Sequence, residues 1–291
     1  MSIIRQGLLQ LGTTVIPVED VSLDPATATA ARRSSGDLYP TQQTVFGGNR
    51  SIACTVPVAI AFSLIGLTTT KFTALQLTLL KIGADGITST GTDHVRIAGA
   101  ASATFYATLT GFSVNQGGLA TAQIAIACIA PLGTTDPLTV TTGAALALAA
   151  QPDLHTLGPV TVNGSAIPGV VGFSGSLSHD ASTRTTDGDL YPTQFSWNSS
   201  NPVLQVQHSD PDAVLSALGL TGASLASSTK VTFLKRGSDS VISATQLSIT
   251  VSAGIITTGA VSGGVGRTAS TGFTIMPAAA DSTTHPWTLG A

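Results

Sequence analysis

Charge is what this chain has least of. Only 9% of its 291 residues are Asp, Glu, Lys or Arg, against about 25% in an average soluble protein. Glutamate occurs once, as Glu19, and lysine four times, as Lys71, Lys81, Lys230 and Lys235. Both residues favour helix and are depleted from strands, so their scarcity argues against a helical protein. No basic run is present and the net charge is −3. That excludes the clustered Lys and Arg by which proteins hold nucleic-acid phosphates. A long apolar run is missing too. The most apolar window, Ile52 to Leu67, is shorter than the roughly 20 residues that span a bilayer and carries Pro57 inside it. Aromatic residues, at 5%, cannot furnish the two girdles of an outer-membrane barrel. The opening MSIIRQGLLQLGTTV has no apolar core followed by a small-residue cleavage site, so a soluble, non-secreted chain is expected. So little surface charge implies a surface covered largely by neighbouring protein.

Chemistry-bearing residues are equally thin. The two cysteines, Cys54 and Cys128, stand in apolar strand-like runs with no CxxC pattern. Neither recurs in the other half of the chain, so buried free thiols are expected rather than a structural disulfide. The five histidines, His94, His155, His179, His208 and His285, show no metal-ligand spacing. His208-Ser209-Asp210 supplies the residue types of a nucleophilic triad, but a helix cap explains Ser209 and Asp210 equally well. The Asp residues lie mostly in turns, so paired-carboxylate hydrolysis has no clear seat. Gly263-Gly264-Val265-Gly266 precedes a strand and lacks the lysine of a phosphate loop. The expectation is no enzyme, no cofactor and no metal.

What the chain does have is Thr, Ser, Val, Ile, Ala and Gly, and a repeat. GDLYPTQ occurs at Gly36–Gln42 and again at Gly188–Gln194, 152 positions on. Leu80–Asp85 matches Leu234–Asp239 at 154, and Thr134–Thr139 matches Thr283–Thr288 at 149. Val21-Ser22-Leu23 aligns with Gly175-Ser176-Leu177, also at 154. Drifting offsets are what loop insertions produce. The reading is an internal duplication, with one module over 1–143, a linker over 144–154 carrying Pro152, and a second module over 155–291.

Each module reads as mainly β, a sandwich or barrel-like domain of about eight short strands with one short helix. In the second module, Pro159–Gly164 opens the fold and Asn163-Gly164 marks a tight turn. A polar loop leads to GDLYP. Asp210 is the expected N-cap of a helix from Pro211 that Gly219 ends. In the first module VAIAFSLI, between Pro57 and Gly66, is either the same helix or a strand. The repeated motif, Gly36, Asp37, Leu38, Tyr39, Pro40 and Gly188, Asp189, Leu190, Tyr191, Pro192, has two compatible readings. One is a loop-to-strand corner with the tyrosine packed on a sheet edge. The other is a contact presented to a neighbouring subunit, where Tyr is favoured.

A short β-module with a lone helix, the opening Val162-Asn163-Gly164-Ser165-Ala166-Ile167-Pro168-Gly169-Val170 and no catalytic site together resemble the tail-tube proteins of long-tailed bacteriophages. The resemblance covers the pattern of each half. It implies modules that form rings by edge-to-edge strand pairing, with rings stacking into a hollow tube through which DNA passes. Two modules per chain would let a trimer imitate a hexamer. The implied partners are other copies of the chain and other tail proteins, with DNA only as passing cargo, and the implied location is the virion. The first module departs from the pattern by lacking the Asn-Gly hairpin of the second. Two rivals fit the composition: a capsid decoration protein, and a tandem β-domain surface adhesin.

Overall fold

A computed structural model describes residues 3–5, 7–32, 39, 42–82, 91, 93–148, 152–218, 223–225, 228–236, 241–264, 267–281 and 283–290. The first half contains β1 (Ile3–Arg5), β2 (Leu8–Leu11), β3 (Thr14–Pro17), β4 (Asp20–Asp24), β5 (Thr27–Arg32), β6 (Gln42–Gly48), β7 (Ser51–Pro57), α1 (Val58–Leu64), β8 (Thr69–Phe72), β9 (Leu75–Ile82), β10 (His94–Gly99), β11 (Thr104–Asn115), β12 (Thr121–Ile129) and β13 (Leu138–Gly143). The second contains β14 (Leu154–Val162), β15 (Ser165–Ile167), β16 (Val170–Arg184), β17 (Gln194–His208), α2 (Pro211–Leu218), β18 (Ala223–Ser224), β19 (Thr229–Arg236), β20 (Ile242–Val251), β21 (Gly254–Thr258), β22 (Ser262–Gly264), β23 (Arg267–Pro277) and β24 (Trp287–Gly290). Strands far outweigh the two short helices among the described residues, so the fold is mainly β and sandwich-like.

The same plan is drawn twice. One small sheet runs β13-β10-β9-β2-β3 and the other β24-β20-β19-β14-β15. In the large sheet, β4-β7-β12-β11 with β8 on β11 answers β16-β17-β23-β21 with β18 on β21. Ten strands therefore correspond in each half, more than the eight expected. Strand registers fix the equivalences. Val21 pairs with Cys54 and Phe173 with Val206, both pairs differing by 152. Val21 thus answers Phe173, and Leu23 answers Gly175. The sequence alignment of Val21-Ser22-Leu23 with Gly175-Ser176-Leu177 is two residues out: it matched Ser-Leu by type, and a shift of two keeps each residue on the same face of the strand. The small and large sheets meet face to face in one continuous apolar core. A Cβ at Gly99 on β10 would lie 2.4 Å from the Phe105 ring on β11, a measure of how closely the layers approach.

Local chemistry accounts for most elements. Asn163 and Gly164, at φ 49° and 80°, make the hairpin turn between β14 and β15, both positive as a type I′ turn requires. The first module has the hairpin too, with Gly12 at φ 60° between β2 and β3, so only the dipeptide is missing. The ambiguous VAIAFSLI is helix α1. Val58, Ala61, Phe62 and Ile65 are buried at helical spacing, which outweighs their β-branching. Gly66, at φ 72°, donates its N–H to the Ala61 carbonyl at 3.2 Å and ends the helix. At α2, Asp210 Oδ1 accepts from the Asp212 and Ala213 N–H groups at 3.0 and 3.4 Å, the expected cap. Gly219 lies outside the described residues. The polar stretch before the second GDLYP is not a loop: β16 pairs with β17 out to Arg184 and Gln194. Alternating exposed Ser and Thr is compatible with a two-stranded arm that leaves the core. Cys54 and Cys128 are buried and free, and burial pushes both thiols up to about 12. Among the described residues no helix is long and apolar enough to cross a membrane.

Candidate functional site

The two halves do not sit side by side as separate sandwiches. Their large sheets fuse. β16 of the second half pairs antiparallel with β11 of the first, through Gly111–Ser176, Phe112–Gly175, Ser113–Ser174, Val114–Phe173 and Asn115–Gly172. Gln116 N–H donates to the Val171 carbonyl at 2.7 Å, and Ala120 N–H to the His155 carbonyl at 2.7 Å. The joint uses the part of β11 that β8, paired over Phe105–Thr108, leaves uncovered. It is heterologous: the β4-type edge of one module meets the β11-type edge of the other.

Behind this seam lies an aromatic cluster drawn from both halves. Phe62 on α1 and Phe112 on β11 meet Phe233 on β19 edge to face, at centroid distances of 5.8 and 5.7 Å. Phe173 and Trp287 complete it, 4.9 Å from Phe233 and 5.7 Å from Phe112. Gly175 makes room, since a Cβ there would lie 2.2 Å from the Phe112 ring. Such edge-to-face contacts add about 0.5–1.5 kcal/mol each beyond area burial.

The second GDLYPTQ sits on the first module. It caps the arm of β16 and β17, and its main chain makes four hydrogen bonds across the seam. Leu190 and Tyr191 N–H both donate to the Gly133 carbonyl, at 2.7 and 2.8 Å; Gly48 N–H donates to the Leu190 carbonyl at 3.2 Å, and Ala130 N–H to the Pro192 carbonyl at 2.9 Å. Arg50 lies over the Tyr191 ring, 5.4 Å from its centroid, and pairs with Asp136 at 2.9 Å. Asp189 turns the corner, its Oδ2 accepting from Thr186 N–H at 3.1 Å. The structure places Asp189, Leu190, Tyr191 and Pro192 at a corner that packs on the other half of the same chain, where the sequence reading has a neighbouring subunit. Gly188, at φ 87°, shapes the turn. In the first copy Tyr39 is 79% exposed, while Gly36, Asp37, Leu38 and Pro40 lie outside the described residues.

Sequence reading missed Arg50, Gly133 and Asp136. Their partners lie more than fifty positions away, and no local pattern marks them. Gly133 allows a close approach: a Cβ there would lie 1.8 Å from the Asp189 carboxyl carbon. Gly133→Ala should therefore unseat the arm. The expected cost is about 1–3 kcal/mol, read as a lower denaturant midpoint together with new proteolytic cleavage near Tyr191.

The seam should also weaken in acid. Burial raises the Asp136 pKa, but the hydrogen bond and charge of Arg50, with bonds from Leu138 N–H and the Tyr191 side chain, outweigh it and hold the carboxyl below its ordinary range. Burial lowers His155 and His285. All three groups bind protons less readily folded than unfolded, so stability falls as pH falls. The loss should begin near the ordinary histidine value of about 6.5 and continue through the carboxylate range. Midpoints from pH 8 to pH 3 check this, and Asp136→Asn should shrink the lower limb, leaving the part due to Asp281, whose carboxyl the bonds from Thr283 and Thr284 hold low.

A cleft of about 300 Å³ lies beside the seam and is lined by Tyr106, Leu177, His179 and Phe195 among others. Tyr106 and Phe195 stack within it at 4.3 Å. The only imidazole there, His179, has both nitrogens engaged: Nδ1 accepts from Trp197 Nε1 at 3.1 Å, leaving Nε2–H to donate to the Leu109 carbonyl. His208 likewise has both nitrogens engaged, Nδ1 accepting from Asp210 N–H at 2.9 Å and Nε2 bonding the Pro168 carbonyl. Among the described residues no group of three His, Cys, Asp or Glu side chains could hold a metal ion. Fold and seam define a class, a mainly β protein of two fused, topologically equivalent halves. The chain matches no protein-family model and no curated protein.

Proposed function

We propose that this protein is a structural subunit that assembles with copies of itself, head to tail, into closed rings of the kind that stack into a phage tail tube. The observation that carries the reading is that both faces of the internal seam recur, uncovered, at the two ends of the chain. The counterpart of the β11 edge is the segment after β21. Gly111 faces Gln123, and Gly259 N–H bonds the Gly272 carbonyl at 2.7 Å, so Phe112 answers Ala260. Ala260, Val261 and Ser262 are exposed, beyond the point where β18 covers β21. The counterpart of β16 is β4, which among the described residues pairs only with β7.

The two ends are also complementary in size. Inside the chain a large Phe112 opposes Gly175. Between chains, the same register sets a small Ala260 against Leu23, which is 36% exposed. The aromatic cluster has half-exposed apolar counterparts as well: Leu215 for Phe62, Val21 for Phe173, Leu79 for Phe233 and Leu138 for Trp287. A repeated heterologous contact closes into a ring or runs on as a helix. Closure removes both open sheet edges.

Three chains would supply six modules to a ring. A net charge of −3 on each chain suits a lumen that lets DNA slide rather than bind. Purified full-length protein, followed by electron microscopy and sedimentation over a concentration series, tests this. Rings of three chains with six similar lobes, stacking into tubes, are expected. Monomers at every concentration would overturn it, and monomers that coat capsids would replace it with a decoration role.

A further inference from the structure

Tyr39 of the first GDLYPTQ is 79% exposed in the single chain, whereas Tyr191 of the second lies against Arg50 and Gly133. We infer that the arm bearing Tyr39 docks on the second module of a neighbouring chain, around Ser200 and His285. This rests on the head-to-tail reading above and names the segments that would meet.

The placement follows from the internal example. The same relation that sets β16 on β11 sets Tyr191 on the seat formed by Gly48, Arg50, Ala130, Gly133 and Asp136. Applied once more, it sets β4 of the next chain on the exposed Ala260 edge and carries the β5–β6 arm with it. Those two strands pair from Thr27–Gly48 out to Arg32–Gln42, as β16 and β17 do beneath Tyr191. The heptapeptide between them is identical, so the same tyrosine is available. Tyr39 is 79% exposed, whereas Tyr191 is half-buried.

The receiving surface supplies an independent sign. By the equivalences of 152 on β17 and 149 after β23, Ser200 answers Gly48, and His285 answers Asp136. Ser200 Oγ and His285 Nε2 are both buried without a hydrogen-bond partner. Buried polar atoms without partners are costly and uncommon. His285 Nδ1 accepts from Trp287 N–H at 3.1 Å, so Nε2 carries the proton and needs an acceptor. In the filled seat Tyr191 lies beside the Asp136 carboxylate; in the empty one a turn of the His285 ring would bring its covered Nε2–H out to the Tyr39 hydroxyl, which can accept from it. The two seats differ in one respect that sets their strengths. Pro202 stands where the first module has Arg50, so the neighbour's tyrosine gains no guanidinium over its ring. The contact between chains is the weaker of the two, as suits a joint that must assemble after the chain has folded.

Photo-crosslinking tests this. Full-length protein with p-benzoylphenylalanine in place of Tyr39, prepared as mixed light and heavy-isotope chains, is irradiated after assembly and analysed by mass spectrometry. Expected are mixed light–heavy crosslinks from the Tyr39 peptide to peptides containing Ser200 or His285. Rings that form with crosslinks only elsewhere overturn the arm contact and leave ring formation standing. Failure to assemble, in the unmodified protein as well, removes both. As a second measurement, Tyr39→Ala should raise the concentration needed for assembly tenfold or more without moving the unfolding midpoint of the single chain. Tyr191→Ala should lower that midpoint, and equal midpoint losses in the two variants would count against the assignment.

Discussion

Phe112→Ala should cost about 3–5 kcal/mol, the range for deleting a fully packed aromatic side chain. Against the 5–15 kcal/mol that holds a typical protein together, that is a large share. Phe112 is 3% exposed and touches Phe62, Phe233 and Trp287, so its loss opens a cavity bounded by both halves. Relaxation is limited, because Gly175 opposite has no side chain to move in. The variant should also unfold differently. The seam is the chief reason for the halves to melt together, and with its centre removed the single transition should separate into two. Calorimetry and a denaturant series checked by tryptophan fluorescence read both effects, since Trp287 reports the cluster directly. An unshifted single transition would mean that the five aromatic rings contribute little to joining the halves.

How much of this was legible in the sequence depends on the range of the interaction. The hairpin at Asn163-Gly164, the cap at Asp210 and the stop at Gly66 are each written within a few residues, and each stands where local chemistry puts it. α1 was ambiguous because Val58 and Ile60 are β-branched; burial of one face, a tertiary effect, decided it. The duplication was visible as GDLYPTQ, yet the register of Val21 against Phe173 was not. A slip of two residues keeps every side chain on its face, so alternation alone cannot detect it; the partner strand does. The seam itself was invisible. Nothing in Gly172–Ser176 says that those residues will meet Gly111–Asn115 instead of closing on their own module. Arg50, Gly133 and Asp136 became recognisable only when the arm placed Tyr191 among them.

Ala260→Asp should abolish assembly while leaving the single chain intact. Ala260 is exposed and forms no part of the core, so the substitution falls among surface changes worth within about 0.5 kcal/mol. In the ring its side chain would face Leu23 of the next chain, between Asp20 and Asp24 on the same strand. A third carboxylate there loses water, gains no cation and is repelled by two like charges. Leaving a buried charge unpaired costs about 3–5 kcal/mol, and each 1.4 kcal/mol is a factor of ten in affinity. The concentration at which rings form should therefore rise by 100-fold or more. Adding Leu23→Lys to the same chain supplies the missing cation at every joint. Recovery of rings in the double variant, when neither single variant assembles, would identify the pair as neighbours across the joint through their coupling energy. Assembly of Ala260→Asp at the original concentration would show that copies of this chain meet through some other surface.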